Sequence, residues 1–253
     1  MASHGSPAKK VFIGGGGELA TAREVLRHAS VEQVIMVDLD DKVVQVSKEY
    51  LPEWGGDTVL SDPRFELIIG DAHAYLMDTQ DTFDVIIMDI SDPIEAGPGI
   101  MLYTQEFYQH AKTRLNPHGV FVTQSGMAES IPAATGPVID TDPSCFAPIF
   151  NTMDSVFDCV VPYSTNIPSF ACDWGFNMAY QQPTTNGKSE SWSHPTNGVI
   201  DDLIATQITG GPNALRFYDG MTHLRMFALT KPLRLYMAKD KRIMTRKNPI
   251  FMY

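Results

Sequence analysis

Short β-branched runs alternate with amphipathic stretches through the first half of the chain, and most of the runs end on a glycine or an acid. Residues 11–13 form an apolar strand that runs into Gly14-Gly15-Gly16-Gly17, and residues 21–28 then place Ala22, Val25 and Leu26 on one helical face. A second strand over 34–37 ends at Asp38, and a helix over 42–51 is closed by Pro52. The third strand, 65–69, ends at Gly70-Asp71, and a short helix over 72–77 leads to a strand over 85–88. A helix over 104–115 stops at Asn116-Pro117, and 119–123 supplies a fifth strand. Strands and helices alternating at this spacing predict an α/β fold with a Rossmann-like, doubly wound and mostly parallel sheet.

The second half is less regular. Residues 145–157 predict a helix, while 159–163 and 174–180 predict strands that pair antiparallel. Residues 181–197 are rich in Pro, Thr, Ser, Asn and Gly, the composition of an exposed loop.

At 253 residues with 43% hydrophobic composition, the chain fits one large domain, and no apolar run approaches the length of a membrane span. Thirty acidic against 19 basic residues, with no Lys/Arg cluster, argue against nucleic acid as a partner. Three widely spaced cysteines make neither a disulfide framework nor a metal site, and buried free thiols in a reducing compartment are expected. Residues 1–10 are small and polar with no signal-peptide core, so a cytosolic location is expected. The seven histidines show no metal-binding spacing.

Parallel sheets bind ligands beyond the carboxyl ends of their strands, which directs attention to Asp89 and Asp92 after Val85-Ile86-Ile87-Met88. Two carboxylates there suit a cation. Gly15-x-Gly17-x-x-Ala20 meets the looser form of the dinucleotide fingerprint, with Asp38 placed to hold ribose hydroxyls. Glu18 lies inside that loop, where a pyrophosphate would rest on backbone N–H groups, and its carboxylate would repel one. A phosphate-free nucleoside carrying a positive sulfur and an amine is attracted instead. Asp71 could accept from an adenine amino group or simply cap the next helix. Together the strand ends describe an anionic pocket for a cationic nucleoside and a cationic co-substrate.

The stretches Val11-Phe12-Ile13-Gly14-Gly15-Gly16-Gly17-Glu18, Met36-Val37-Asp38-Leu39-Asp40, Gly70-Asp71-Ala72 and Leu102-Tyr103-Thr104, with residues 21–28 and 83–93, resemble the polyamine aminopropyltransferases. That family includes the spermidine, spermine and thermospermine synthases. The resemblance runs in order along almost the whole chain, and it implies a class I methyltransferase-like fold. It further implies transfer of an aminopropyl group from decarboxylated S-adenosylmethionine to an amine, releasing methylthioadenosine. By motif, Gly15 and Gly17 shape the donor loop, Asp38 holds the ribose, Asp71 with Ala72 holds the adenine, and Pro98 walls the nucleoside. Glu18 and Asp92 grip ammonium groups, and Asp89 is the general base.

Sulfonium is already a good leaving group, so neither metal nor further cofactor is expected, the nucleoside being a co-substrate. Family members carry a small N-terminal β domain that helps to cover the site and pair subunits, whereas only residues 1–10 precede the first strand here. A single catalytic domain over 1–253 and a homo-oligomer are the expectations. Leu19 stands where relatives have Gly, which is expected to add bulk beside the nucleoside and to make a left-handed backbone costly.

Acceptor choice is expected to lie in residues 167–176, where Phe170 replaces the Tyr of spermidine synthases and a Pro-Ser-Phe-Ala segment followed by Trp174-Gly175 is similar to thermospermine synthases. Losing a hydroxyl and gaining an indole favours spermidine over putrescine as acceptor. Phe170 and Trp174 as plain core aromatics is the competing reading. Two rival functions remain at this point: an S-adenosylmethionine-dependent methyltransferase and a non-catalytic polyamine-binding module.

Overall fold

The computed structural model describes residues 2–3, 6–129, 144–180, 184–185, 188–189 and 195–252. Its seven-stranded sheet comprises β1 (Lys10–Gly15), β2 (Gln33–Asp38), β3 (Phe65–Ile69), β4 (Phe83–Asp89), β5 (Leu115–Met127), β6 (Cys159–Ile167) and β7 (Cys172–Tyr180), in the spatial order β3-β2-β1-β4-β5-β7-β6. The first five strands are parallel, and β7 pairs antiparallel with both β5 and β6. The expected mostly parallel sheet with antiparallel C-terminal strands is therefore present.

Alternation along each strand divides the core between the two faces. Val11, Ile13, Val34 and Met36 pack under α1 (Ala20–Leu26), α2 (Asp41–Tyr50) and α3 (Gly56–Leu60) through Ala22, Val25, Val44 and Val59. On the opposite face, Phe12, Ile35, Ile86 and Phe121 meet α4 (Ala72–Asp78), α5 (Gln105–Thr113) and α6 (Phe146–Asp154). Both faces of the central strands are buried, which is why these strands read as continuous apolar runs.

Three departures from the sequence reading matter. The α5 helix ends at Thr113, and β5 begins at Leu115, with Pro117 and a left-handed His118 in a register shift before the regular ladder resumes at Val120. Pro cannot donate to a ladder and is tolerated at such an irregularity. At its other end β5 continues four residues past Thr123 to Met127, and so carries Gln124 to the carboxyl edge. The third departure is a helical C-terminal region: α7 (Asn197–Gln207), α8 (Gly220–Phe227) and α9 (Lys231–Lys239), with Phe227 of α8 packing on Tyr163 of β6 at 5.1 Å.

Most of the 181–197 segment lies outside the described residues. Its described parts are a two-residue ladder of Thr184–Thr185 with Lys188–Ser189, residues 195–196, and the start of α7 at Asn197. Cys145 and Cys172 are buried and Cys159 is half-buried, and none of the three is in a disulfide among the described residues. Among the described residues no helix is long and apolar enough to cross a membrane.

Candidate active site

The acids converge because β1 and β4 end side by side. Gly15 is paired with Asp89, and its φ of 79° belongs to the left-handed region. A Cβ on Gly15 would lie 2.1 Å from the Asp89 carbonyl oxygen, so only glycine lets the loop leave the sheet here. Gly17 N–H donates to Asp38 Oδ2 at 2.9 Å, and a Cβ on Gly17 would stand 2.9 Å from that same oxygen. Asp38 Oδ1 accepts from the backbone N–H of Asp40 at 2.9 Å. The Asp38 carboxylate is thus a clamp on the glycine loop as well as a candidate ribose contact, and each oxygen retains acceptor capacity for a ligand.

Leu19 behaves differently from the expectation. It adopts the left-handed conformation, φ 71° and ψ −4°, and its side chain is fully buried with Ala22, Val44 and Val59, not placed beside a nucleoside. The left-handed backbone costs about 1–2 kcal/mol, and burying a leucine returns roughly 1.5–3 kcal/mol. Packing under the α1–α3 layer offsets the strain.

Asp89 accepts a 2.5 Å hydrogen bond from Thr21 Oγ1, yet burial still raises its pKa above the usual carboxylate range, with the Asp38 charge adding to the rise. Glu18 is pushed up to about 7, first by burial and then by the field of Asp89. Asp92 is also raised, chiefly by burial, against the opposing hydrogen bond from Gln124. Asp71 caps α4 through its Oδ1, which accepts from His73 N–H at 2.8 Å. Capping therefore occurs, and it leaves the second carboxylate oxygen for a ligand. Among the described residues, none of Glu18, Asp38, Asp71, Asp89 and Asp92 is engaged in an ion pair.

A cavity of about 160 Å³ is lined by Gly15, Asp38, Asp71, Ala72, Asp89 and Pro98, with Val37, Ile90 and Leu102 as apolar wall. Six residues singled out in the sequence meet in it. Gly17 and Glu18 do not line it: Gly17 stands against the Asp38 carboxylate, and Glu18 is coupled electrostatically to Asp89 and Asp38. A second cavity, of about 290 Å³, adjoins Asp89 and Thr21 and is lined by Ile87, Val122, Gln124, Tyr163, Phe176 and Met178, among others. Asp89 borders both cavities.

Phe170 and Trp174 line neither cavity. Phe170 sits at the turn between β6 and β7 and Trp174 near the start of β7, ring centroids 4.5 Å apart, with Phe170 55% exposed, so Phe170 is no core aromatic. Trp174 Nε1 donates to Gln124 Oε1 at 3.0 Å, and Gln124 Nε2 donates to Asp92 Oδ1 at 3.0 Å. The acceptor candidates Asp92 and Trp174 are thereby joined through a residue the sequence reading missed. A polar side chain at the carboxyl end of a strand was the available signal, hidden because that strand was expected to stop at Thr123. Thr21, the partner of Asp89, was likewise visible only as part of the first helix.

A spermine/spermidine synthase domain matches residues 1–188. Polyamine aminopropyltransferase 2 of Hyperthermus butylicus is 39% identical over 100% of this chain and 75% of its own length. The polyamine aminopropyltransferase of Aeropyrum pernix is 40% identical over 100% of this chain and 74% of its own. Among solved structures, spermidine synthase in complex with the transition-state analogue AdoDATO superposes with a TM-score of 0.72 at 26% identity, covering 91% of this chain and 70% of that one. Human methyltransferase-like protein 13 in complex with SAH shares the fold at a TM-score of 0.50 and 18% identity, over 70% of this chain and 73% of that one. On the extent of these matches and the acid-lined edge that they cover, this chain belongs to the spermine/spermidine synthase family, the polyamine aminopropyltransferases.

Proposed function

We propose that this chain acts in polyamine biosynthesis, transferring the aminopropyl group of decarboxylated S-adenosylmethionine to spermidine to give thermospermine and 5'-methylthioadenosine. The observation that carries the reading is Asp89, a half-buried carboxylate outside any described ion pair that borders both cavities. In this reading the nucleoside takes the first cavity, where Asp38 is the candidate contact for its ribose and Asp71 with Ala72 for its adenine.

An ammonium has no lone pair, so the acceptor amine must first lose a proton. Asp89 takes it, and Thr21 holds the carboxylate in place. The freed lone pair attacks the carbon next to sulfur: the C–N bond forms, the C–S bond breaks, and its electron pair neutralises the sulfonium. The protein's task is alignment and removal of one proton. The raised pKa of Asp89 makes it a better proton acceptor than an exposed aspartate.

Spermidine is favoured over putrescine by the apolar Phe170 and Trp174 pair, which can cover methylene groups of a longer amine. A methyltransferase reading is disfavoured because the carboxylate on intact S-adenosylmethionine would meet the charge of Glu18 and Asp92. Chromatographic analysis of products with putrescine, spermidine and spermine as separate acceptors tests the proposal. Thermospermine from spermidine, at higher kcat/KM than any product from putrescine, is the expected result. Preference for putrescine would make the chain a spermidine synthase, and binding of both ligands without turnover would make it a polyamine-binding module.

A further inference from the structure

Gln124 ends the regular part of β5, opposite Phe176, just before a register shift that sets Met127 against Trp174. Its amide can have only one orientation. Oε1 accepts from Trp174 Nε1 at 3.0 Å and from Gly126 N at 3.1 Å, and both of those groups can only donate. Nε2 therefore faces Ile90 O at 2.9 Å, Asp92 Oδ1 at 3.0 Å and the Tyr103 hydroxyl at 2.6 Å. The Tyr103 hydroxyl gives its own hydrogen to Ser91 O at 3.1 Å, so it too must accept from Gln124.

Three acceptors thus compete for the two hydrogens of one amide. A charged acceptor claims a hydrogen most strongly, which leaves the neutral ones under-supplied. An ammonium arriving at Asp92 brings donors of its own and relieves the shortage. The same amide fixes the edge of the Trp174 indole.

We infer that Gln124 is a positioning residue that sets acceptor selectivity, holding the Asp92 carboxylate and the Trp174 indole in one register so that a triamine is gripped at its charge and along its methylenes. This rests on the function proposed above. Gln124 acts through its two neighbours.

The test is calorimetric titration of spermidine and of putrescine into the protein saturated with methylthioadenosine. Gln124→Met, similar in length and without donors or acceptors, should weaken spermidine binding about tenfold or more, and putrescine binding distinctly less. Trp174→Phe should produce the same spermidine-selective loss, and the double variant should be no worse than the more damaging single one, because the two side chains act as a unit. Spermidine affinity within about twofold of wild type in Gln124→Met, equal losses for both amines, or losses that multiply in the double variant would overturn the inference. Should Gln124→Met fail to fold, Trp174→Phe alone decides by the ratio of its two losses. Binding is read without turnover, so a wild-type protein that binds spermidine but transfers nothing overturns the proposed function, while the affinity ratios still decide the role of Gln124.

Discussion

The carboxyl edge of β1–β4 and that of β5–β7 are built by different rules. On the first, two of the acids are held by backbone N–H groups, Asp38 by those of Gly17 and Asp40 and Asp71 by that of His73 in the helix it caps, while Asp89 is held by the Thr21 hydroxyl. On the second, the key contacts run between side chains far apart in sequence, Trp174 to Gln124 and Gln124 to Asp92. Carboxylates anchored on backbone N–H groups do not depend on which side chains stand nearby. A site held by distant side chains depends on strand register, so its selectivity is easier to alter than its chemistry.

The strongest way to break this contrast is Asp89→Asn, which keeps the shape and removes the proton acceptor. The loss in kcat should be about 100- to 10,000-fold with methylthioadenosine affinity nearly intact, and a loss under about tenfold would remove Asp89 as the base. Asp38→Ala comes next. It deletes a candidate ribose contact and frees two loop N–H groups, so methylthioadenosine affinity should fall by roughly 10- to 100-fold, with the acceptor preference unchanged. A changed acceptor preference would show that the two edges are not separable.

Glu18→Gln sharpens the comparison through pH. The folded-state pKa of Glu18 is about 7 against a usual 4.5, so the ionised form is disfavoured in the folded protein. That cost is absent below the usual value, grows as pH rises, and is complete above about 7. Removing the charge should therefore stabilise the ligand-free protein by about 3 kcal/mol at about pH 8 and leave it nearly unchanged at about pH 4, as read by thermal melts. Equal effects at both pH values would show that the carboxylate is not strained by its surroundings. The smallest effect belongs to Phe170→Tyr, which restores a hydroxyl at an exposed position and should narrow the ratio of spermidine to putrescine kcat/KM by about threefold.

Much of the first edge was legible because its determinants are local. Apolar runs ending in Gly-rich or acidic residues name both the strand and what stands at its tip, and Asp38, Asp71, Ala72, Asp89 and Pro98 all meet in one cavity. Leu19 was misjudged for the opposite reason. Backbone cost is visible in a single residue, but the compensating burial is supplied by α2 and α3. The C-terminal helices were missed because short apolar stripes such as Ile200 and Ile204 acquire meaning only against a neighbouring element.

Alternation of strands and helices, the glycine loop and the acid at each strand tip determined by themselves the sheet, its carboxyl edge and the anionic character of the site. These follow from neighbours within a few residues, where backbone geometry leaves few choices. Tertiary structure alone decided that Asp89 borders two cavities, that Thr21 restrains it, and that Gln124 joins Asp92 to Trp174. Such contacts depend on how β5 and β7 are registered, and because no hairpin turn joins these two strands, their register is settled by which faces are buried in the assembled sheet.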